Sequence, residues 1–137
     1  MVSFDNLWKN HPGRNSSPCS FLNQCAVRMG IALQKSGVNM NTFKGAKCWH
    51  DHSPRHILRA QELATWLKDN DFTFGKVQVI QGAGINSFRG FKGIVFIEDG
   101  WGSTDHIDLW NGVEMKAGDA EYFEFGKKVW FWNFTNV

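Results

Sequence analysis

The spacing of apolar side chains divides the chain into a helical first half and a strand-rich second half. Phe4, Leu7 and Trp8 recur at helical intervals after Ser3, a residue suited to accept a free first-turn N–H. A short helix is predicted there, ended by His11-Pro12-Gly13. Residues 14–21 are rich in Ser, Asn and Pro and read as a surface loop. A second helix is predicted from Asn23, its cap, to about Ser36, with Gly37 as the stop. Ala26, Met29 and Leu33, with Val27 and Ile31 alongside, form its apolar face. A third opens at Ser53-Pro54 and carries Ile57, Ala60, Leu63, Ala64 and Leu67 at helical spacing as far as Asp69-Asn70-Asp71.

The period then changes to that of strands. Residues 77–80, 92–97, 106–110 and 128–132 are the candidates. Residues 81–93 hold four glycines and read as a long loop or flap. Asp99-Gly100-Trp101-Gly102 signals a turn, and Asn111-Gly112 favours a hairpin. Helices followed by an antiparallel sheet make an α+β layout. No repeat or linker interrupts it, so residues 1–137 are expected to form a single domain.

Composition narrows the class. At 42% hydrophobic and 20% charged, the chain is globular rather than disordered. No apolar run approaches the roughly 20 residues of a membrane span. The first residues lack the basic-then-apolar pattern of a secretory signal peptide. The expectation is a protein made in the cytoplasm without a signal peptide and not inserted in a membrane. The net charge is +2 with Lys and Arg dispersed, and no basic, aromatic-interleaved patch suggests nucleic acid. Seven Trp and twelve Phe against a single Tyr supply core bulk, with a surplus that can line a groove.

Two segments carry candidate chemistry. In Asn23-Gln24-Cys25-Ala26-Val27-Arg28-Met29 a polar loop becomes an apolar helix, which puts the thiol of Cys25 in the first turn. A helix N-terminus carries partial positive charge and stabilises a thiolate. In Asp105-His106-Ile107-Asp108-Leu109-Trp110, strand alternation places His106, Asp108 and Trp110 on one face and Ile107 and Leu109 on the other. A histidine within reach of a thiol can take its proton and return it to a leaving amine. The bland alternatives are a buried hydrophobic cysteine and a structural histidine. Asp108 shares the face of His106, but residues two apart on a strand are poor neighbours, and it can equally bond a backbone amide. Cys48-Trp49-His50-Asp51-His52 contains zinc-ligand types at a spacing that matches no known site, and it reads as a loop. The chain has three cysteines, so Cys19 and Cys48 can pair and leave Cys25 free. The glycines of residues 82–93 form no phosphate-binding fingerprint, and no cofactor or metal is called for.

Taken together, these segments resemble the type VI secretion amidase effectors of the fourth amidase family. The likeness rests on Phe4-Asp5-Asn6-Leu7-Trp8, on the Cys25 segment with Ala32-Leu33 and Ser36-Gly37, on Asp105 through Gly112, and on Val129-Trp130-Phe131-Trp132. The resemblance implies a papain-like fold of the NlpC type. It implies cleavage of the γ-D-glutamyl to meso-diaminopimelate bond in peptidoglycan stem peptides by Cys25 and His106. It also implies delivery by the type VI secretion machinery into the target-cell periplasm, and a cognate immunity protein. At the position of the family's third catalytic residue, an aspartate, this chain has Ala117. Asp119, two residues on, is the preferred substitute and Asp108 the alternative. Two other readings share the same residues: an inactive cell-wall-binding module of this fold, and a cysteine hydrolase or deamidase acting on a target-cell protein.

Overall fold

A computed structural model describes residues 2–13, 25–45, 59–82, 84–98, 105–124 and 128–134. Helix α1 spans Phe4–Asn10, and the Ser3 hydroxyl accepts the Asn6 backbone N–H at 3.4 Å, the cap its sequence favours. Helix α2 spans Cys25–Lys35 and the chain leaves it through Gly37 at φ +86°, a conformation that costs glycine little. Helix α3 spans Ala60–Asp69, and a single-turn α4, Asp71–Phe74, follows it. Arg59 is extended, so α3 starts at Ala60 with Glu62 in its first turn rather than running on from Pro54. Ser53, Pro54 and Ile57 lie outside the described residues, as do Asn23, Cys19 and the run from Cys48 to His52.

The strands β1 (Gln78–Gln81), β2 (Gly93–Glu98), β3 (His106–Trp110) and β4 (Lys128–Asn133) form one sheet in the order β1-β4-β2-β3, each neighbouring pair antiparallel. Strand β4 comes last in the chain but lies inside the sheet. Its uninterrupted apolar run, like that of β2, suits a strand covered on both faces. On one face Ile94, Phe96, Ile107, Leu109 and Trp132 pack with Met29 and Leu33 of α2 and Leu63 and Leu67 of α3. On the other, Val95, Ile97, Trp110, Val129 and Phe131 pack with Phe88, Met115 and Phe123.

This second layer corrects the idea of a free flap at residues 81–93. The segment forms a short 3-10 turn, Ile85–Ser87, and delivers Phe88 to the far face of the sheet. Phe88 stacks on Phe123 with ring centroids 4.5 Å apart, and its carbonyl accepts the indole N–H of Trp110 at 2.8 Å. The chain reverses at Asn111-Gly112 as expected: the Asn111 carbonyl oxygen Oδ1 accepts the N–H groups of Val113 and Glu114 at 2.9 and 2.8 Å, and Gly112 takes φ +100°. Met115 then bridges back to Trp110, and residues 116–118 run alongside β3 towards its first residue, His106. Among the described residues no helix is long and apolar enough to cross a membrane.

Candidate active site

The first residue of α2 and the first residue of β3 meet. Cys25 is buried at the start of its helix, with no carboxylate in that first turn to offset the positive helix end. A side-chain hydrogen bond joins it to His106, and its Sγ lies 3.9 Å from the Asp105 carbonyl oxygen. These contacts cross the helix–sheet boundary, which packs α2 against β3 through the core shared by Ala26, Met29, Ile107 and Leu109.

Asp108 completes the group. Its Oδ2 is 2.8 Å from Nε2 of His106, so the imidazole bends along the strand to span the two-residue interval that sequence reasoning treated as unfavourable. The carboxylate is wholly buried, and a buried anion needs donors. It has three backbone amides: Leu109 N–H to Oδ1 at 2.8 Å, Gly118 N–H to Oδ2 at 2.7 Å, and Ala117 N–H shared by both oxygens at 3.2 Å. The preferred candidate, Asp119, is not on the histidine. It is exposed, and its Oδ1 accepts the Glu121 N–H at 3.0 Å, holding the 3-10 turn Ala120–Glu124. The correction has a simple geometric reason. The returning segment presents backbone amides, not a side chain, to the space beside His106, and the strand's own carboxylate fills it.

Electrostatics follow from this packing. Burial acts to lower the His106 pKa, but the hydrogen bonds and charges of Asp108 and Cys25 outweigh it and raise the value from 6.5 to about 9. Burial acts to raise the Asp108 pKa; the hydrogen bond and charge of His106 prevail and hold it below its ordinary value. At neutral pH the imidazole is therefore cationic against an anionic carboxylate, with the Cys25 sulfur on its other side.

A family profile described as type VI secretion system amidase effector protein 4, Tae4, matches residues 21–132, a stretch that includes Cys25, His106 and Asp108. The chain belongs to this family. It is accordingly a peptidoglycan amidase effector of type VI secretion. Solved Tae4 structures share its fold. Tae4 in the Tae4-Tai4 effector-immunity complex from Salmonella Typhimurium is 23% identical over 96% of each chain, with a TM-score of 0.75. The corresponding complex from Enterobacter cloacae is 21% identical over 97% of this chain and 98% of that one, with a TM-score of 0.75. Enterobacter cloacae Tae4 alone is 20% identical over 97% and 96%, with a TM-score of 0.74. No curated protein matches at a significant level. The α+β, papain-like NlpC architecture expected from the sequence is the one found.

Sequence reasoning missed three residues at this Tae4 site. Tyr122 packs edge-on against His106, ring centroids 5.0 Å apart at 83°. Gly118 lies under both rings, and His11, read only as a helix stop, approaches Asp108 from α1. None has a local sequence signal, because each is defined by what the fold brings against it. Gly118 yields a direct prediction. A Cβ there would sit 2.7 Å from His106 Nε2 and 2.6 Å from a Tyr122 ring carbon, closer than real contacts allow. Gly118→Ala must displace the imidazole or the tyrosine. Displacing a reacting group by about 1 Å costs on the order of 100-fold, so kcat/KM on stem peptides should fall roughly 10- to 100-fold. The fold should lose about 1–3 kcal/mol to overpacking. Wild-type kinetics would show that Tyr122 swings aside without moving His106.

Proposed function

We propose that the chain is a single catalytic domain, residues 1–137, that cleaves the γ-D-glutamyl to meso-diaminopimelate amide bond of peptidoglycan stem peptides through a Cys25–His106 pair oriented by Asp108. The observation that carries this reading is the Cys25–His106–Asp108 chain of side-chain hydrogen bonds at a helix N-terminus. In the resting ion pair the proton of Cys25 is held on His106, and the thiolate attacks the scissile carbonyl carbon to form a carbon–sulfur bond. The carbonyl oxygen gains negative charge. We assign the N–H of Cys25 as its donor, because the positive end of a helix stabilises such a charge. The carbon–nitrogen bond breaks as His106 gives its proton to the departing amine. Water then loses a proton to the same imidazole, attacks the thioester and releases the acyl half with the thiol restored. Asp108 holds the ring by Nε2, which leaves Nδ1 for the sulfur, and stabilises the cationic ring.

Family membership supports export by type VI secretion, and an amidase of cell wall has its substrate in the target-cell periplasm, where we place the activity. The related Tae4 proteins are found with Tai4 immunity proteins, and a cognate immunity protein is the expected partner of this chain. Incubation with purified sacculi containing meso-diaminopimelate tests the reading. Mass spectrometry should detect stem fragments newly ending in D-glutamate and in meso-diaminopimelate with a free amine. Binding without fragments would point to an inactive wall-binding module, and cleavage at another bond would overturn the assignment of specificity.

A further inference from the structure

We propose that His11 is a positioning residue for this reaction: from the end of α1, its buried Nε2–H points at Oδ1 of Asp108 and steadies the carboxylate that orients His106. The inference rests on the catalytic reading of Cys25, His106 and Asp108. His11 is 3% exposed and follows directly on α1, its own N–H donating to the Leu7 carbonyl. Its Nδ1 accepts the Gly13 N–H at 3.0 Å. An accepting Nδ1 has no proton, so the neutral ring carries its hydrogen on Nε2. That Nε2 has no hydrogen-bond partner among the described residues and lies 3.8 Å from Asp108 Oδ1. A phenylalanine would fill this space without an unpaired ring N–H, although it would take the acceptor from the Gly13 N–H.

The charged state of His11 explains how it differs from His106. Asp108, Lys116, Arg28 and His106 all act on it. Burial is the largest influence and lowers its pKa; Asp108 pulls upward, while Lys116, Arg28 and His106 push downward, and the value falls from 6.5 to about 4. At neutral pH His11 is therefore a dipole rather than a cation, and its 3.8 Å approach to Asp108 is not an ion pair. A cationic His11 would compete with His106 for the same carboxylate. A neutral one does not, yet it offers a donor when His106 gives its proton to the leaving amine and Asp108 loses its cationic partner. A shift of roughly 1 Å closes the gap to hydrogen-bond length.

Two measurements test this. In wild-type protein labelled with ¹⁵N-histidine, His11 should be neutral with its proton on Nε2 throughout the neutral range. Kinetics on a purified stem peptide then compare His11→Phe with His11→Gln, whose amide can return a donor to the Nε2 position. His11→Phe should lower kcat by roughly 10-fold with little change in KM, as for other outer residues that orient a reacting group. Its alkaline limb should move below that of wild type, because a loosened Asp108 supports the His106 cation less well. His11→Gln should restore most of both. A cationic His11, a proton on Nδ1, or an unshifted limb with equal loss in both variants would overturn the proposal, and the wild-type NMR result decides it even where His11→Phe does not fold. Asp108→Asn separates the two layers of argument. If it is harmless, the catalytic reading of Asp108 fails; if it is damaging while His11→Phe is harmless, only the role of His11 fails.

Discussion

Cys25→Ala is expected to abolish release of stem-peptide fragments, a loss of about 10⁴-fold or more, because removing a nucleophile leaves only binding and oxyanion stabilisation. The variant should still fold. Cys25 is a small buried side chain at the first position of α2, and alanine is the best helix former at the same Cβ. Deleting one buried sulfur leaves a small cavity, worth on the order of 1 kcal/mol. The comparison is therefore clean: matched thermal unfolding with no detectable cleavage of sacculi by chromatography. Cleavage at the wild-type rate would remove Cys25 from the mechanism.

The second large effect separates the two carboxylates. Asp108→Asn should lower the cleavage rate by about 10²- to 10⁴-fold, less than loss of the nucleophile. Asparagine keeps the shape but turns an NH2 towards donors: three backbone amides and the imidazole already point at this site. Asp119→Ala should stay within a few-fold of wild type, since it loses only a turn cap, at about 1 kcal/mol. The pH profile carries a further signature. His106 is held at about 9, above its ordinary 6.5, so it contributes stability that is complete below 6.5 and disappears as pH rises through about 9. Activity should decline over the same alkaline range, because the imidazole must still hold a proton for the leaving amine. In Asp108→Asn both the stability loss and the alkaline limb should shift to lower pH. If Asp119→Ala proves the damaging change, the third position belongs to the returning segment and the geometry beside His106 has been misread.

Much of the layout was legible from the chain. Helical spacing in Phe4, Leu7 and Trp8, the Ser3 cap and the Gly37 stop define α1 and the end of α2 by local rules. The apolar runs of β2 and β4 marked both as strands, and the period change separated helices from sheet. Cys25 and His106 were visible because each stands at a junction where polar sequence becomes patterned sequence. The strand order was not visible: β4 enters between β1 and β2 for reasons of long-range packing that no local period encodes.

The carboxylate assignment marks the same boundary. Sequence limits the candidates to Asp119 and Asp108, and the resemblance favours the one nearer the family's position. The choice depends on what residues 117 and 118 present to His106, and they present N–H groups that only the reversal at Asn111-Gly112 brings there. A buried carboxylate is stable where amides converge, so Asp108 takes the site while Asp119 remains in solvent capping a turn. His11 joins the group for the same reason. By itself the sequence determined which residues have the chemistry and which local elements carry them; the tertiary structure decided their partners, because hydrogen bonding and burial depend on segments that are far apart along the chain.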